Sequence, residues 1–397
     1  MSSLSKYLAL EGNIRVLALQ TLVSQLGFGM LVVVWQPYIL SLGLAVVDLG
    51  VVQSVINFST AAGLFVWGPI SDMFGRKKVM LLGHVSRVAA VLALLFSGNV
   101  VFLYVFAFFI GFSCLWQQMN PARTALIAES VGGARRATAL ATLMTISQGT
   151  SVIMASVGGY LAIVTGYWPI FAITIAGESI GIALMAVFVK ETHVTTGANG
   201  RDIGSRIVAN LRPEKELIPM YMMMVVMGIG YGVGYSLFYG ALTDSYGFTT
   251  LELGLMATAS SLAWALGSIP GGKLSERFGA RLGVLLSTAS AMIATVGFIL
   301  FRSFPAFLLF SVFNGLDPCF WIPNWMSIVA ERVPVGVRSS ILGKMDAYNR
   351  FAMIPAPYVG GLIYAAYGFT APLLVHLVCI FVWGYMVVVI TKPNSAI

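Results

Sequence analysis

Apolar runs of about twenty residues recur along the whole chain, separated by short stretches rich in glycine, proline or charged residues. A run of that length crosses the hydrocarbon core of a bilayer as an α-helix. The pattern predicts an all-α membrane protein with twelve transmembrane helices, six on each side of a long polar segment. The predicted spans are 14–40, 48–68, 79–97, 99–120, 137–164, 168–189, 218–243, 250–271, 282–301, 304–326, 339–364 and 370–391.

The composition does not fit an ordinary soluble domain. Charged residues make up 10% of the 397 residues and hydrophobic residues 58%, whereas soluble domains carry about 25% charged and about 45–50% apolar residues. So few charges cannot cover a water-facing surface. The cysteines at positions 114, 319 and 379 lie in apolar runs without a CxxC pair, which speaks against a disulfide framework or a zinc site. No metal or cofactor is expected.

The basic excess of +8 is explained by membrane topology. If the N-terminus faces the cytoplasm, 20 of the 23 lysines and arginines fall at or near connections on that same side. Positively charged connections stay in the cytoplasm, so we expect a protein of the cytoplasmic membrane with both termini inside the cell. Nucleic acid is not expected as a partner. The N-terminal residues also lack the short apolar core and cleavage site of a secretory signal.

Two polar stretches indicate that the chain is built from a duplicated half. GPISDMFGRKKVM begins at Gly68 and GGKLSERFGARLGVL at Gly271, and a shift of 204 residues aligns their glycine, serine, acidic and phenylalanine positions. A shift of 202 residues aligns PARTALIAESVGGARRATAL with PNWMSIVAERVPVGVRSSIL, and also a later pair of double glycines. Three colinear matches near half the chain length predict two homologous six-helix halves.

The string Gly-x-x-x-Asp-x-x-Gly-Arg-Lys-Lys at residues 68–78 resembles the signature loop between helices 2 and 3 of the major facilitator superfamily. The weaker copy between helices 8 and 9 is also typical of that family, and the resemblance covers the whole chain. It implies two pseudo-symmetric six-helix bundles that expose one midplane cavity alternately to each side. We therefore expect an N-terminal bundle at residues 1–189, a cytoplasmic central loop at 190–217 and a C-terminal bundle at 218–397.

The signature loop is predicted to be a conformational latch. The resemblance implies that Asp72 helps to hold the two halves together in the outward-facing state, with Arg76 supporting it. Gly75 permits a tight reversal of the chain, and Gly68 permits a close approach of neighbouring helices. A role as a topology anchor alone is the alternative. The predicted latch residues of both halves are Gly68, Asp72, Gly75, Arg76, Glu276 and Arg281.

Ionisable side chains inside predicted spans are expensive to bury and are therefore functional candidates. Arg87 and Glu178 lie at similar depths in the third and sixth spans, and we interpret them as a structural ion pair. Asp346 and Arg350 are one turn apart in the eleventh span and can pair on one face. The resemblance places this span beside the cavity, so both are candidates for binding substrate or protons.

Asp317 is the sharpest candidate for proton coupling. It lies midway along the tenth span, which lines the cavity in the resembled family, and its span contains no cation. A buried carboxyl group without a partner takes up protons near neutrality. The alternative is a structural aspartate held by hydrogen bonds, for example to Arg350.

Polar and aromatic side chains on cavity-lining spans of the resembled family are expected to contact the substrate. Tyr231 and Tyr235 belong to a stripe of tyrosines in the seventh span, for which simple packing is the alternative. The predicted cavity-lining residues are Gln25, Trp116, Asn120, Tyr231, Tyr235, Trp321 and Asn349.

The sequence therefore predicts a secondary transporter that moves a small organic solute by alternating access, with proton coupling through Asp317 or Asp346. Efflux of amphipathic compounds is favoured, because the expected cavity is aromatic and rich in methionine. The alternative is proton-linked uptake of a sugar or an organic anion, with Arg350 as the partner of the anion. A non-transporting membrane receptor or scaffold is a remote alternative. No enzymatic motif is present, and we expect a monomer without catalytic activity.

Three departures from the family pattern weaken the case for drug antiport. Ala107 stands where many proton-coupled members carry an arginine. The sequence MASVGG replaces the glycine-proline pair that drug antiporters place before the double glycine of helix 5. The first span contains no acid, although several drug exporters have one there.

Overall fold

The computed structural model describes residues 8–115, 120–132, 135–192, 212–334 and 338–391. These residues form helices joined by turns, and no β-strand occurs among them. Eight helical stretches among the described residues are long and apolar enough to cross a membrane, and other helices lie in the remaining predicted spans. The predicted all-α membrane class is confirmed, and one further helix, Pro121–Ser130, lies where the sequence predicts a connection.

The chain divides into two compact units. The first unit comprises Met1–Trp35 and Val55–Ile207, and the second comprises Gln36–Ser54 and Val208–Ile397. The sequence assigns residues 36–54 to the N-terminal bundle, whereas in this structure they cluster with the second unit.

The first six predicted spans contain helices, the fourth helix is shorter than predicted, and an additional helix follows it at Pro121–Ser130. Among the described residues up to 192, the α-helices are α1 (Gly12–Ser41), α2 (Val46–Phe74), α3 (Arg76–Leu94), α4 (Val100–Phe112), α5 (Pro121–Ser130), α6 (Arg136–Thr165) and α7 (Trp168–Phe188). Gly75 separates α2 from α3 with a φ of 101°, a backbone conformation that a residue with a Cβ adopts only under strain.

The last six spans are also helical, and the seventh and eleventh are divided. A short 3₁₀ helix at Lys215–Leu217 leads into them. Among the described residues from 212 onward, the α-helices are α8 (Ile218–Gly234), α9 (Phe238–Tyr246), α10 (Thr250–Phe278), α11 (Ala280–Leu300), α12 (Phe304–Arg332), α13 (Arg338–Ala352), α14 (Ala356–Tyr367) and α15 (Thr370–Ile390).

Asn120, the last residue of the predicted fourth span, connects α4 and α5. α4 ends at Phe112, and Cys114 has a φ of 53°. α5 begins at Pro121, in a stretch where the sequence predicts a connection and not a helix. The Asn120 amide donates to the Ser113 carbonyl at 3.0 Å and its oxygen accepts from the Ala122 amide at 3.0 Å. Asn120 therefore caps α5 and fastens it to the preceding segment. This predicted cavity residue is fully buried and its side chain is used within its own span.

The break in the seventh span is closed by Gln36 of α1. Three turn residues, 235–237, separate α8 from α9, so backbone groups around the break lack their usual helical partners. The Gln36 amide donates to the Ser236 carbonyl at 2.8 Å, and its side-chain oxygen accepts from the Gly240 amide at 2.8 Å. One side chain thus supplies both a donor and an acceptor to the divided helix.

Replacing Gln36 with leucine is expected to lower the thermal denaturation midpoint of the purified protein in detergent. The substitution leaves the Ser236 carbonyl and the Gly240 amide unpaired, and each buried polar group without a partner costs about 1–3 kcal/mol.

Gln148→Leu is the matched control, because Gln148 is exposed in α6 and the same change of side chain removes no described contact there. Equal midpoints for the Gln36→Leu variant and the unmodified protein would contradict the role given to Gln36.

Candidate functional site

The segment GIGYGVG at residues 228–234 lets two helices pack closely against α8. A Cβ at Gly228 would lie 2.5 Å from the Asn349 carbonyl oxygen, and one at Gly232 would lie 2.4 Å from the Ala356 Cβ. On another face, a Cβ at Gly234 would lie 2.5 Å from the Cβ of His376. Glycines at four-residue spacing therefore bring the eleventh span to one side of α8 and α15 to the other.

Asp317 lies within α12 and is held by hydroxyl groups from two neighbouring helices. The residue is 7% exposed, and its carboxylate accepts hydrogen bonds from the Tyr231 hydroxyl of α8 and, at 2.5 Å, from the Ser287 hydroxyl of α11. No described lysine or arginine forms an ion pair with it. Gly315, two residues earlier, allows this packing, since a Cβ there would lie 1.9 Å from the Ser260 carbonyl oxygen of α10.

Aromatic rings surround the Tyr231 side of this site. Trp383 stacks on Tyr231 with ring centroids 5.6 Å apart and an interplanar angle of 12°. His376 lies against both Tyr231 and Tyr235, with each pair of ring centroids 4.8 Å apart. His376 and Trp383 are buried in α15 and were not identified from the sequence. A histidine inside an apolar run is the signal that could have pointed to the first of them.

The eleventh span holds three of the predicted site residues. Asn349 donates from its side-chain amide to the Met224 carbonyl at 2.9 Å, so it joins α13 to α8. Arg350 is half-buried, and Asp346, one turn earlier, is exposed. The structure thus brings Asn349 to α8, and it leaves Asp346 on a more accessible face of the same helix.

Trp321 lies in the apolar core of the second unit. Its ring stacks on that of Trp325 with centroids 5.3 Å apart and an interplanar angle of 13°. Both are buried in a cluster that also contains Met220 and Ile380. In this structure, the predicted cavity residue Trp321 therefore makes packing contacts.

Arg87 and Glu178 are brought together in the first unit, as part of a larger buried network. The Glu178 side chain is completely buried and accepts from the Arg87 guanidinium at 2.8 Å. The Ser24 hydroxyl also donates to Glu178. The second carboxylate oxygen of Glu178 lies 2.7 Å from Nδ1 of His84. Gln20 contacts the other ring nitrogen of His84 at 3.3 Å. The sequence pointed to the ion pair but missed His84 and the two residues of α1.

The remaining predicted cavity residues of the first unit are Gln25 and Trp116. Gln25 is buried in α1 and donates to the Ser147 hydroxyl of α6 at 2.5 Å, while its side-chain oxygen has no partner among the described residues. Trp116 lies outside the described residues.

Arg76 organises the signature loop. Its guanidinium donates to Asp72, to the Ser71 hydroxyl at 2.6 Å and to Glu129 at 3.2 Å. Asp72 keeps 56% of its side chain exposed. Arg76 therefore joins the end of α2 to the end of α5 within the first unit.

Glu191, just after the sixth span, caps the helix that begins after Gly75. Its carboxylate accepts from the backbone amides of Arg76 at 2.9 Å and Lys77 at 3.1 Å. It therefore caps α3, where a negative charge is stabilised by the helix dipole. A Cβ at Gly75 would lie 2.4 Å from a carboxylate oxygen of Glu191, a contact that the flexible Glu191 side chain can relieve by moving. The positive φ of 101° is therefore the feature that requires glycine here.

Gly68 does not make the close helix contact expected of it. A Cβ at this position would meet no described atom within 4 Å. The close approach along α2 occurs at Gly63 instead, where a Cβ would lie 2.7 Å from the Phe112 carbonyl oxygen. In the second copy of the loop, Arg281 is half-buried, and the side chain of Glu276 lies outside the described residues.

Glu214 ties the end of the central segment to the second unit. It accepts from the Lys344 ammonium at 2.6 Å and from the Tyr221 hydroxyl at 2.5 Å. Partial burial alone would raise the pKa of this carboxyl group, but the hydrogen bonds from Lys344 and Tyr221 hold the pKa below its usual value. Glu214 is therefore ionised at neutral pH and contributes this contact there; the contribution is lost as the pH falls through the lowered pKa.

The sequence model of the Major Facilitator Superfamily matches the chain twice, at residues 17–219 and 220–396. The chain belongs to this family, and it is a multi-pass membrane transporter that acts on small molecules. Among its relatives is the multidrug resistance protein MdtG of Proteus mirabilis (strain HI4320), 23% identical over 81% of this chain and 80% of MdtG. Another is the multi-drug resistance efflux pump PmrA homolog of Lactococcus lactis subsp. lactis (strain IL1403), 24% identical over 76% of this chain and 75% of that protein.

Solved structures share the fold across almost the whole chain. The nucleoside transporter NupG matches with a TM-score of 0.77 and 13% identity, covering 97% of this chain and 100% of NupG. The D-xylose-proton symporter matches with a TM-score of 0.73 and 14% identity, covering 95% of this chain and 97% of the symporter. At these identities the similarity concerns the fold.

Replacing Glu178 with glutamine is expected to destabilise the protein strongly. The change removes the negative charge beside the buried Arg87, and breaking a buried ion pair costs about 3–5 kcal/mol. The thermal denaturation midpoint in detergent measures the effect.

Glu331→Gln provides the same substitution at an exposed position near the end of α12 and is expected to leave the midpoint nearly unchanged. If the two variants had the same denaturation midpoint, Glu178 would not be the counter-charge that Arg87 requires.

Proposed function

We propose that this transporter exports amphipathic small molecules in exchange for protons and works as a monomer by alternating access. We place the protein in the cytoplasmic membrane, with both termini facing the cytoplasm. The efflux direction is supported by the relatives described as multidrug resistance and efflux proteins.

The environment of Asp317 carries the proton part of the proposal. Burying a carboxylate at membrane depth is costly, and residues that do so commonly have a function. Among the described residues, Asp317 accepts hydrogen bonds from hydroxyl groups alone. A hydroxyl group can donate to an ionised carboxylate and can turn to accept from a protonated one. Tyr231 and Ser287 can therefore accommodate both protonation states of Asp317, whereas a fixed arginine partner would hold the carboxylate ionised.

The position of Asp317 also supports a link between proton binding and movement of the helices. Tyr231 reaches Asp317 from α8, and α8 ends three residues later, at the break in the seventh span. A change in the hydrogen bond to Tyr231 therefore acts close to the point where this span departs from helical geometry. Hinges in proteins are commonly element-terminal positions of this kind.

The test is transport of a fluorescent amphipathic dye in proteoliposomes with an imposed pH gradient. The unmodified protein is expected to accumulate dye against its gradient. Asp317→Asn is expected to lose this gradient-driven accumulation but to retain exchange of dye across the membrane, because asparagine keeps the hydrogen bonds and cannot carry the proton.

Asp244→Asn is the matched control, since Asp244 is an exposed carboxylate of the same unit, and it should accumulate dye normally. Normal accumulation by Asp317→Asn would remove Asp317 from the proton pathway. A pH gradient without effect on the unmodified protein would remove proton coupling altogether.

A further inference from the structure

The first unit buries more positive than negative charge. Arg87 is 1% exposed and Arg123 is 4% exposed, while Glu178 is the one fully buried carboxylate described near them. Taking charges out of water costs several kcal/mol for each ion unless an opposite charge lies nearby. One carboxylate cannot neutralise two guanidinium groups, so this cluster carries an excess cation.

Arg123 is the arginine that lacks a counter-charge. Its guanidinium donates to the Thr21 hydroxyl at 3.4 Å, and no carboxylate within the described ranges forms an ion pair with it. Asn120, the cap of α5, fixes the start of the helix that carries Arg123. A structural arginine in the same unit looks different: Arg76 donates to two carboxylates and a hydroxyl group.

The Arg87 guanidinium also has N–H donors without a described partner. One terminal nitrogen of its guanidinium contacts Glu178 at 2.8 Å and Ser24 at 3.2 Å. The other terminal nitrogen and Nε are buried without a hydrogen-bond partner in the described chain. The guanidinium carbon lies 3.9 Å from the centre of the Phe28 ring, a cation-π contact that stabilises the charge but uses no N–H donor.

Both arginines converge on one face of α1. Thr21 contacts Arg123 and Ser24 contacts Arg87, and residues three apart lie on the same side of a helix. The two guanidinium groups are also close enough for their charges to interact. Thr21 lies nine residues from the start of α1, about 14 Å along the helix axis at 1.5 Å per residue, so the cluster lies well inside the span.

We propose that this cluster binds the anionic head group of the transported molecule, an organic carboxylate, with Arg123 as its direct partner and Arg87 as the supporting charge. Arginine suits the task because its planar group donates two parallel hydrogen bonds to a carboxylate. The inference rests on the proposed transport function and narrows it to amphipathic anions. Glu178, which His84 contacts in turn, holds Arg87 in place, and the head group supplies the charge that Arg123 lacks.

The test compares two fluorescent probes of similar shape, 1-pyrenebutyrate and the neutral 1-pyrenebutanol, bound to the purified full-length protein in detergent without any pH gradient. The unmodified protein is expected to bind the carboxylate more tightly than the alcohol. Arg123→Gln is expected to weaken carboxylate binding about tenfold to a hundredfold, the effect of losing one charged hydrogen-bond partner, and to leave the alcohol unaffected. The affinity of Arg123→Lys for the carboxylate should lie between that of the unmodified protein and that of Arg123→Gln.

Arg15→Gln is the control, because Arg15 is exposed near the start of α1, and it should bind both probes normally. Equal affinity of the unmodified protein for the two probes would overturn the proposal, whatever the folding of the variants. An equal loss of both probes in Arg123→Gln would also overturn it, since that pattern reflects a damaged fold.

Failure of this proposal is distinguishable from failure of the proposed function. If vesicles exchange protons for the alcohol but show no preference for the carboxylate, the proposed proton-coupled transport stands and the anion site is rejected. If the protein binds the probes with the predicted preference but transport does not respond to a pH gradient, the anion site stands and proton coupling is rejected.

Discussion

Within the hydrocarbon core of a bilayer, a polar group must find its partner inside the protein, because no water is present to supply one. The described structure is arranged around this constraint. The divided seventh span exists because Gln36 satisfies both a carbonyl and an amide at the break. Asp317 is tolerated because Tyr231 and Ser287 donate to it. A group whose partners are incomplete, such as Arg123, is therefore informative about what the protein binds.

Close backbone packing makes these polar contacts possible. The glycines of residues 228–234 allow α13, α14 and α15 to reach α8, and Tyr231 lies between them with its hydroxyl directed to Asp317. Gly315 plays the same part for α12, where a side chain would collide with the backbone of α10. The chemistry of the site thus depends on residues that carry no functional group.

Hydropathy and charge were sufficient to predict most of the spans, because both signals extend over many residues, and the motif at residues 68–78 indicated the family. Hydropathy did not show that the seventh and eleventh spans are divided, since a turn as short as residues 235–237 hardly changes the average hydropathy. It also did not predict the helix at Pro121–Ser130. Arg87 and Glu178 could be paired from the sequence because charges at equal depth are rare in apolar runs. Ser287 could not be linked to Asp317, because serines are common in such runs and only the packing of α11 against α12 selects one.

The two halves have also diverged in charge since they were duplicated. At the shift of 202 residues that aligns the halves, Arg123 corresponds to Trp325, which stacks on Trp321 in the apolar core of the second unit. The second unit instead buries Asp317, a carboxylate that hydroxyl groups contact. If the two buried charges serve substrate and proton respectively, each lies in a different unit.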